Sequence, residues 1–298
     1  MPSPVAKPLP DSSLSRRILV FGCGYLGSRV AAGAVNSGHQ VWASTRDVAK
    51  GASLRKLGVE PIFADWTDQR TLTDLPEVDW VLISVSHDPR SKVDRFAGQV
   101  CGLANLLRVL SPECSICYIS TTGVYHQANG RWVDERSPTH PTRAGARMHL
   151  MGENLLHRLR PRSRWSILRL AGIYGPGRIP RIADVRAGRP IPASPDSYLN
   201  LIRVEDAADA VLASWSRSTE RLYVVSDDCP VLRRDYYRFI ADACGSPEPT
   251  FCKPALAKAG SERIRSDSNK RVWNRRMKRD LLPRLRYPSY REGLSELL

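Results

Sequence analysis

The sequence predicts an α/β protein: a doubly wound parallel sheet followed by a smaller C-terminal lobe. Three observations carry that expectation. Short apolar runs alternate with helix-periodic segments through about the first 170 residues. The first run, Arg17–Phe21, passes directly into a glycine-rich turn, Gly22-Cys23-Gly24-Tyr25-Leu26-Gly27. The polar clusters that stand out fall at the C-terminal ends of predicted strands, where ligands sit in such sheets.

Taken in order, residues 28–35 are helical in pattern and stop at Gly38-His39, and Gln40–Thr45 is the next strand. A strand, a GxGxxG turn, a helix and a second strand form the Rossmann-type context that makes the glycines a dinucleotide signature. The first glycine permits the tight turn and the second lets backbone approach a pyrophosphate. The third lets helix and strand pack closely, and the helix N-terminus offers its N–H groups to the anion. Gly22, Gly24 and Gly27, with Tyr25 and Leu26 between them, are therefore expected at the cofactor. The second strand ends Thr45-Arg46-Asp47. An acidic residue there would bond the ribose 2′-OH of NAD, whereas Arg46 suits the 2′-phosphate of NADP. NADP is the expected cofactor, and Asp47 keeps NAD open. Residues 60–65 form a third strand ending at Asp65, and residues 78–85 a buried strand carrying Ser84 near its tip; both tips join the cofactor set. Residues 96–110 read as a helix with Val100, Leu103, Leu106, Leu107 and Leu110 on one face. Residues 114–121 and Trp165–Leu170 are two further strands.

Composition bounds the partners. The chain has 298 residues, 42% hydrophobic and 25% charged, which excludes a wholly disordered chain, a collagen-like repeat and a disulfide scaffold. Lys and Arg number 45 against 30 Asp and Glu, a net +15 that invites a polyanion: nucleic acid, a membrane surface or a phosphorylated small molecule. Most of these cations are Arg, a bias that codon usage alone can produce. The Arg-rich stretch 263–286 places Trp273 and Met277 at i, i+4 spacing, which suits a helix docked by its apolar side. No nucleic-acid motif accompanies it, so nucleic acid is not an expected partner. The seven cysteines lie in mostly apolar surroundings, as befits a reducing compartment. Cys114 and Cys117 have CxxC spacing without a second pair to complete a zinc site, and they read as buried thiols. No metal is expected. No apolar run approaches the ~20 residues of a membrane span. Residues 1–15 hold four prolines and lack the apolar core of a signal peptide. A loose tail on a cytoplasmic protein is the expectation. The domain reading is a tail at 1–15, a dinucleotide-binding domain at 16–172 to which 199–226 returns, and a lobe formed mainly by 173–298.

Several further stretches carry a resemblance. They are Phe63-Ala64-Asp65-Trp66-Thr67-Asp68, Ile119-Ser120-Thr121-Thr122-Gly123-Val124-Tyr125, Val133-Asp134-Glu135-Arg136-Ser137-Pro138, and the segment from Leu168 through Tyr174-Gly175-Pro176-Gly177-Arg178. To these are added Asn200-Leu201-Ile202-Arg203-Val204-Glu205-Asp206-Ala207, Ser268-Asn269-Lys270-Arg271, and Tyr287-Pro288-Ser289-Tyr290. In order and spacing the sequence resembles the short-chain dehydrogenase/reductase superfamily, in its extended NAD-dependent epimerase/dehydratase branch, over about residues 16–298. Its GxGxxG turn replaces the usual GxxGxxG, as in several atypical members. The resemblance implies that Asp65 lies at the adenine, that Thr121 is the catalytic Ser/Thr, and that 173–298 holds the substrate. Tyr174, Arg178, Asn200 and Arg203 become candidate substrate residues, the arginines for an anionic small molecule. It also implies a homodimer, since relatives often pair through a four-helix interface.

The catalytic Tyr-x-x-x-Lys signature is where the sequence departs. Alignment on Glu153 puts Gly145 at the Tyr position and His149 at the Lys position. The family Tyr acts as general acid/base with its pKa lowered by that Lys, because an unperturbed phenol titrates near ~10. Gly145 has no proton to give; His149 and Tyr125 are the candidates to act with Thr121. Two functions follow. One is an NADP-dependent oxidoreductase, epimerase or dehydratase working by hydride transfer on a sugar nucleotide or related alcohol or carbonyl. The other is a catalytically degenerate dinucleotide-binding sensor or scaffold.

Overall fold

A computed structural model describes residues 15–88, 92–219, 221–253 and 269–298. In chain order its elements are β1 (Arg17–Phe21), α1 (Gly27–Asn36), β2 (Gln40–Thr45), α2 (Val48–Lys56), β3 (Glu60–Phe63), β4 (Trp80–Ile83), α3 (Gly102–Val109), β5 (Ser115–Thr121), β6 (Arg131–Val133), α4 (Ala144–Leu159), β7 (Trp165–Leu170) and β8 (Gly172–Tyr174). Then come α5 (Ile182–Arg186), β9 (Ile191–Pro192), β10 (Tyr198–Leu199), β11 (Leu201–Arg203), α6 (Val204–Arg217), β12 (Leu222–Val225), β13 (Val231–Leu232), α7 (Arg233–Cys244), β14 (Phe251–Cys252), β15 (Lys270–Val272), α8 (Arg275–Asp280) and α9 (Tyr290–Ser295).

Seven strands make one parallel sheet in the order β12-β7-β5-β4-β1-β2-β3. A parallel sheet is covered on both faces, so its strands read as continuous apolar runs rather than alternating ones. Ile18, Leu19 and Val20 of β1 are accordingly all fully buried. One face packs under α1 and α6 through Val30, Ala34, Ala207 and Val211. The other packs under α3 and α4 through Leu103, Leu106, Leu107 and Leu156. The strand order reverses between β1 and β4, which opens a crevice beyond their C-terminal ends. Phe21 pairs with Ile83 there, and the Ser84 N–H donates to the Phe21 carbonyl at 2.9 Å, so Gly22 and Ser84 emerge side by side. The β8/β11 and other short two-strand pairs, with α5, α7 and α9, enclose a separate core of Tyr174, Ile191, Tyr236, Tyr237 and Tyr290.

The α/β architecture is as the alternation of the sequence predicts, while several boundaries differ. The third and fourth strands stop at Phe63 and Ile83, before Asp65 and Val85, because those tips turn into the crevice. The helix expected over 96–110 opens with a π-helical turn, Ala97–Cys101, before α3. There a Cβ on Gly102 would lie 2.5 Å from the Trp66 ring, so only glycine admits that packing. Within the Arg-rich C-terminal stretch, helix α8 covers Arg275–Asp280 and buries Met277. Trp273 lies ahead of it and stacks on Trp132 at 3.9 Å, so the expected Trp273/Met277 helical face is not formed; residues 263–268 of that stretch lie outside the described residues. Cys114 and Cys117 are buried, and burial pushes their thiols up to about 11 and about 12. Among the described residues, no cluster of three or more His, Cys, Asp or Glu is placed to hold a metal, and no helix is long and apolar enough to cross a membrane.

Candidate active site

A cavity of about 630 Å³ occupies the crevice, walled by the tips of β1 to β4. Gly22 has φ +97°, a left-handed conformation, and a Cβ there would lie 2.6 Å from the Val85 nitrogen. At Gly27 a Cβ would meet the Gly22 carbonyl at 2.5 Å, whereas at Gly24 it meets nothing within 4 Å. The turn is fixed by two side chains: Ser44 Oγ accepts from the Gly22 N–H at 3.0 Å, and Ser84 Oγ donates to the Gly22 carbonyl at 2.8 Å. Leu26 anchors the turn in the core. Tyr25 lies outside it, its hydroxyl donating to the Pro176 carbonyl at 3.1 Å. The residues of the turn thus fit a dinucleotide: a backbone cradle kept open by glycine at the start of a helix.

Arg46, just past the end of β2, and Lys50, in the first turn of α2, both line the cavity. Arg46 Nη1 reaches Asp65 Oδ2 at 3.2 Å, and its side chain stays 61% exposed. Burial pushes the Asp65 carboxyl up, but hydrogen bonds from Thr67 and Arg46 outweigh it and hold the group below its ordinary value. Asp47 is the N-cap of α2; its Oδ1 accepts from the N–H groups of Ala49 (2.8 Å) and Lys50 (3.2 Å).

Thr121 ends β5, and its Oγ1 accepts from the Gly123 N–H at 3.0 Å. The other two catalytic candidates are engaged elsewhere. Tyr125 is 3% exposed, and its hydroxyl accepts from Arg169 Nη1 at 2.9 Å. Burial, set against the neighbouring Arg169 charge, pushes that phenol up to about 12. Tyr125 is thus packed within the fold with its hydroxyl held by Arg169. His149 is half-buried, with Nδ1 3.2 Å from the hydroxyl of the buried Tyr118. Gly145 lies one turn earlier, and a Cβ there would sit 2.8 Å from Arg95 Nη1. The space beside the Tyr-equivalent position is thus filled by a guanidinium.

A model of the NAD dependent epimerase/dehydratase family matches residues 18–225. The chain belongs to that family. Protein YeeZ of Escherichia coli K12 is 28% identical over 246 residues, covering 79% of this chain and 86% of YeeZ. A solved structure described as a functionally unknown conserved protein from Silicibacter pomeroyi DSS is 31% identical, with TM-score 0.76 and coverage of 95% of this chain and 98% of that one. UDP-glucuronic acid 4-epimerase from Bacillus cereus, solved with NAD, shares the fold at 18% identity, with TM-score 0.75 and coverage of 94% and 97%.

In this member of the family, the residues expected at a substrate differ in their surroundings. Tyr174 is fully buried in the lobe core, and its hydroxyl donates to the Ser289 carbonyl at 3.4 Å. Arg203 is 3% exposed and fully employed within the fold. Its Nε donates to Glu205 at 2.8 Å, its Nη1 to the Gly293 carbonyl, and its guanidinium lies 4.2 Å over the Tyr287 ring. Both tie α9 to β8 and β11 through these bonds. Arg178 is exposed and lies 5.2 Å over the Tyr25 ring, beside the glycine turn. Asn200 Nδ2 donates to the Lys270 carbonyl at 2.9 Å, while its buried Oδ1 has no hydrogen-bond partner among the described residues.

Four groups that the sequence pattern does not single out stand out in the structure: Ser44, which fixes the glycine turn, Lys50, which lines the cavity, Arg143, which lies against Gly123, and the buried Lys270. A Cβ on Gly123 would lie 2.5 Å from Arg143 Nη2 and 3.2 Å from Thr121 Oγ1. Lys270, on β15, is 4% exposed. Burial first, and the Arg143 charge second, push its ammonium down to about 8. Its signal was present in the Asn269-Lys270-Arg271 stretch, which sequence reasoning used only for the resemblance.

Proposed function

We propose that this epimerase/dehydratase is an NADP-dependent enzyme that oxidises, reduces or epimerises an alcohol or carbonyl carbon of an anionic small molecule, with sugar nucleotides the leading class. The observation that carries the reading is the position of Thr121. Its hydroxyl stands at the C-terminal end of β5, two strands from β1 in the parallel sheet and so on the same edge as the glycine turn, and it accepts from the Gly123 N–H. Accepting that bond leaves the Thr121 O–H to donate to a substrate oxygen and orient its carbon.

The bound dinucleotide supplies the hydride donor or acceptor. Gly22, Gly24 and the start of α1 would hold its pyrophosphate, and Asp65 its adenosine half. Arg46 and Lys50 favour a 2′-phosphate, and Asp47 is committed to capping α2 rather than to a ribose hydroxyl. The sugar-nucleotide class is supported by the fold shared with the UDP-glucuronic acid 4-epimerase. Homodimerisation and a cytoplasmic location belong to the same reading. So does a substrate lobe in 173–298 that returns residues 199–226 to the dinucleotide-binding domain.

Thr121→Val is the test. The variant should lose at least about 100-fold in kcat/KM on an accepted substrate while its NADPH Kd stays within about twofold. The sensor reading is favoured by the engagement of Tyr125 and His149 away from a substrate. Tight NADPH binding with no turnover across a panel of sugar nucleotides and small carbonyls, and indifference to Thr121→Val, would establish that reading instead.

A further inference from the structure

The cavity at the strand ends holds a titratable group that neither the glycine turn nor Thr121 accounts for. His87 lines it, four residues past the end of β4, and is half-buried. Its loop is tied directly to the glycine turn. Ser84 Oγ donates to the Gly22 carbonyl at 2.8 Å, and a Cβ on Gly22 would lie 2.6 Å from the Val85 nitrogen. His87 follows Val85 by two residues, so only a short stretch of chain separates the imidazole from the pyrophosphate cradle. Strand order fixes the side from which it approaches. β4 stands between β1, which carries the turn, and β5, which carries Thr121. Arg46 and Lys50 line the opposite, β2 side, where the adenosine half of a dinucleotide lies in such folds. The nicotinamide half therefore leaves the turn past the β4 loop.

We propose that His87 is a cofactor-binding residue whose protonated ring contacts a phosphate oxygen of the dinucleotide on its nicotinamide side, so that affinity for the cofactor rises as pH falls. The assignment follows from position and charge. A pyrophosphate is anionic, and the turn answers it with uncharged N–H groups. Among the described residues that line the cavity, His87 is the side chain on the β4 side that can become a cation. The other titratable or charged groups facing the cavity are Cys23 on the turn, Arg46, Asp47 and Lys50 on the β2 side, Asp65 beyond β3, and Asp88 beside His87. Burial pushes the Cys23 thiol up, and hydrogen bonds from Thr67 and Arg46 hold Asp65 down against its burial, so neither changes charge near neutrality. An imidazole gains its proton between about pH 5 and 8, and a phosphate beside it favours the charged form. Binding and protonation then strengthen one another by the same factor. The role rests on the reading of the cavity as a dinucleotide site, and it adds to that site a dependence on pH.

Dissociation constants of NADPH, NADH and 2′-AMP are measured in wild type and His87→Gln at about pH 5.5, 7 and 8.5, at constant ionic strength. NADH lacks the 2′-phosphate, which itself titrates near about pH 6, and comparison with the variant cancels that titration for NADPH. 2′-AMP carries the adenosine half without the pyrophosphate and reports whether the crevice of the variant is intact. At the lowest pH, His87→Gln should bind both NADPH and NADH at least about tenfold more weakly than wild type. The ratio should shrink to within about threefold at the highest pH, and 2′-AMP affinity should stay within about twofold of wild type throughout. A ratio that does not change with pH, or an equal loss of 2′-AMP binding, would overturn the role of His87 and leave the dinucleotide reading in place. Failure of wild type to bind NADPH and NADH at every pH would overturn both.

Discussion

Thr121 and Lys270 show how differently two residues can be written in a sequence. Thr121 was legible through the resemblance of its strand-end stretch, and the structure puts it at the end of β5, two residues before a glycine whose N–H it accepts from. Tyr125 lies four residues further on, and its hydroxyl is set by Arg169, 44 residues away. Arg203 is closed off by Gly293 and Glu296, about 90 residues later, so neither burial could be read locally. Lys270 leaves a signature in stability. Its folded pKa, about 8, lies below the ordinary lysine value of 10.5, so the unfolded chain binds more protons between the two. Charge on Lys270 therefore costs stability below about pH 8, and the cost disappears as pH rises from 8 to 10.5. Lys270→Met should raise Tm at pH 7, and the gain should shrink through that window. A Tm unchanged at pH 7, or a gain that grows toward pH 10.5, would contradict the burial of a charged amine.

At the scale of elements, one buried cluster aligns three of them. Glu153 of α4 accepts from Ser120 of β5 at 2.6 Å and from Arg169 of β7 at 2.9 and 2.6 Å, and Arg169 also donates to Tyr125. The ion pair is about 95% enclosed on both sides, with side-chain exposures of 6% and 5%. Such a pair adds little over a hydrophobic replacement, but removing one partner leaves a buried charge. Glu153→Ala should cost about 3–5 kcal/mol in urea unfolding, and a loss below about 1 kcal/mol would deny the cluster its role. The same cluster sets the orientation of the strand that carries Thr121, so catalysis should fall in step with stability. The sequence marked Glu153 and Arg169 as parts of family motifs without indicating that they meet. Spacing along a chain does not encode contact between a helix and two strands.

Across the whole molecule, the sheet was readable because its strands are covered on both faces and stand out as apolar runs between helices. The lobe was not, since its strand pairs are only two or three residues long and are held by a distant tyrosine core. The net charge of +15 has also changed meaning. Arg29, Arg271 and Arg275 lie over the rings of Tyr25, Trp132 and Trp273, and Arg70, Arg189 and Arg238 face carboxylates. Such arginines belong to the surface of the fold. Arg46 and Lys50 line the cavity at the strand ends, where Arg46 also meets Asp65.

The claim on which the account depends is that the crevice is an NADP site read by Arg46. It is tested most directly by measuring NADPH and NADH dissociation constants side by side in wild type and Arg46→Asp. Wild type should prefer NADPH by about tenfold or more, and the substitution should abolish or reverse the preference by weakening NADPH binding. Equal affinities in wild type, or a preference for NADPH that survives in Arg46→Asp, would contradict it.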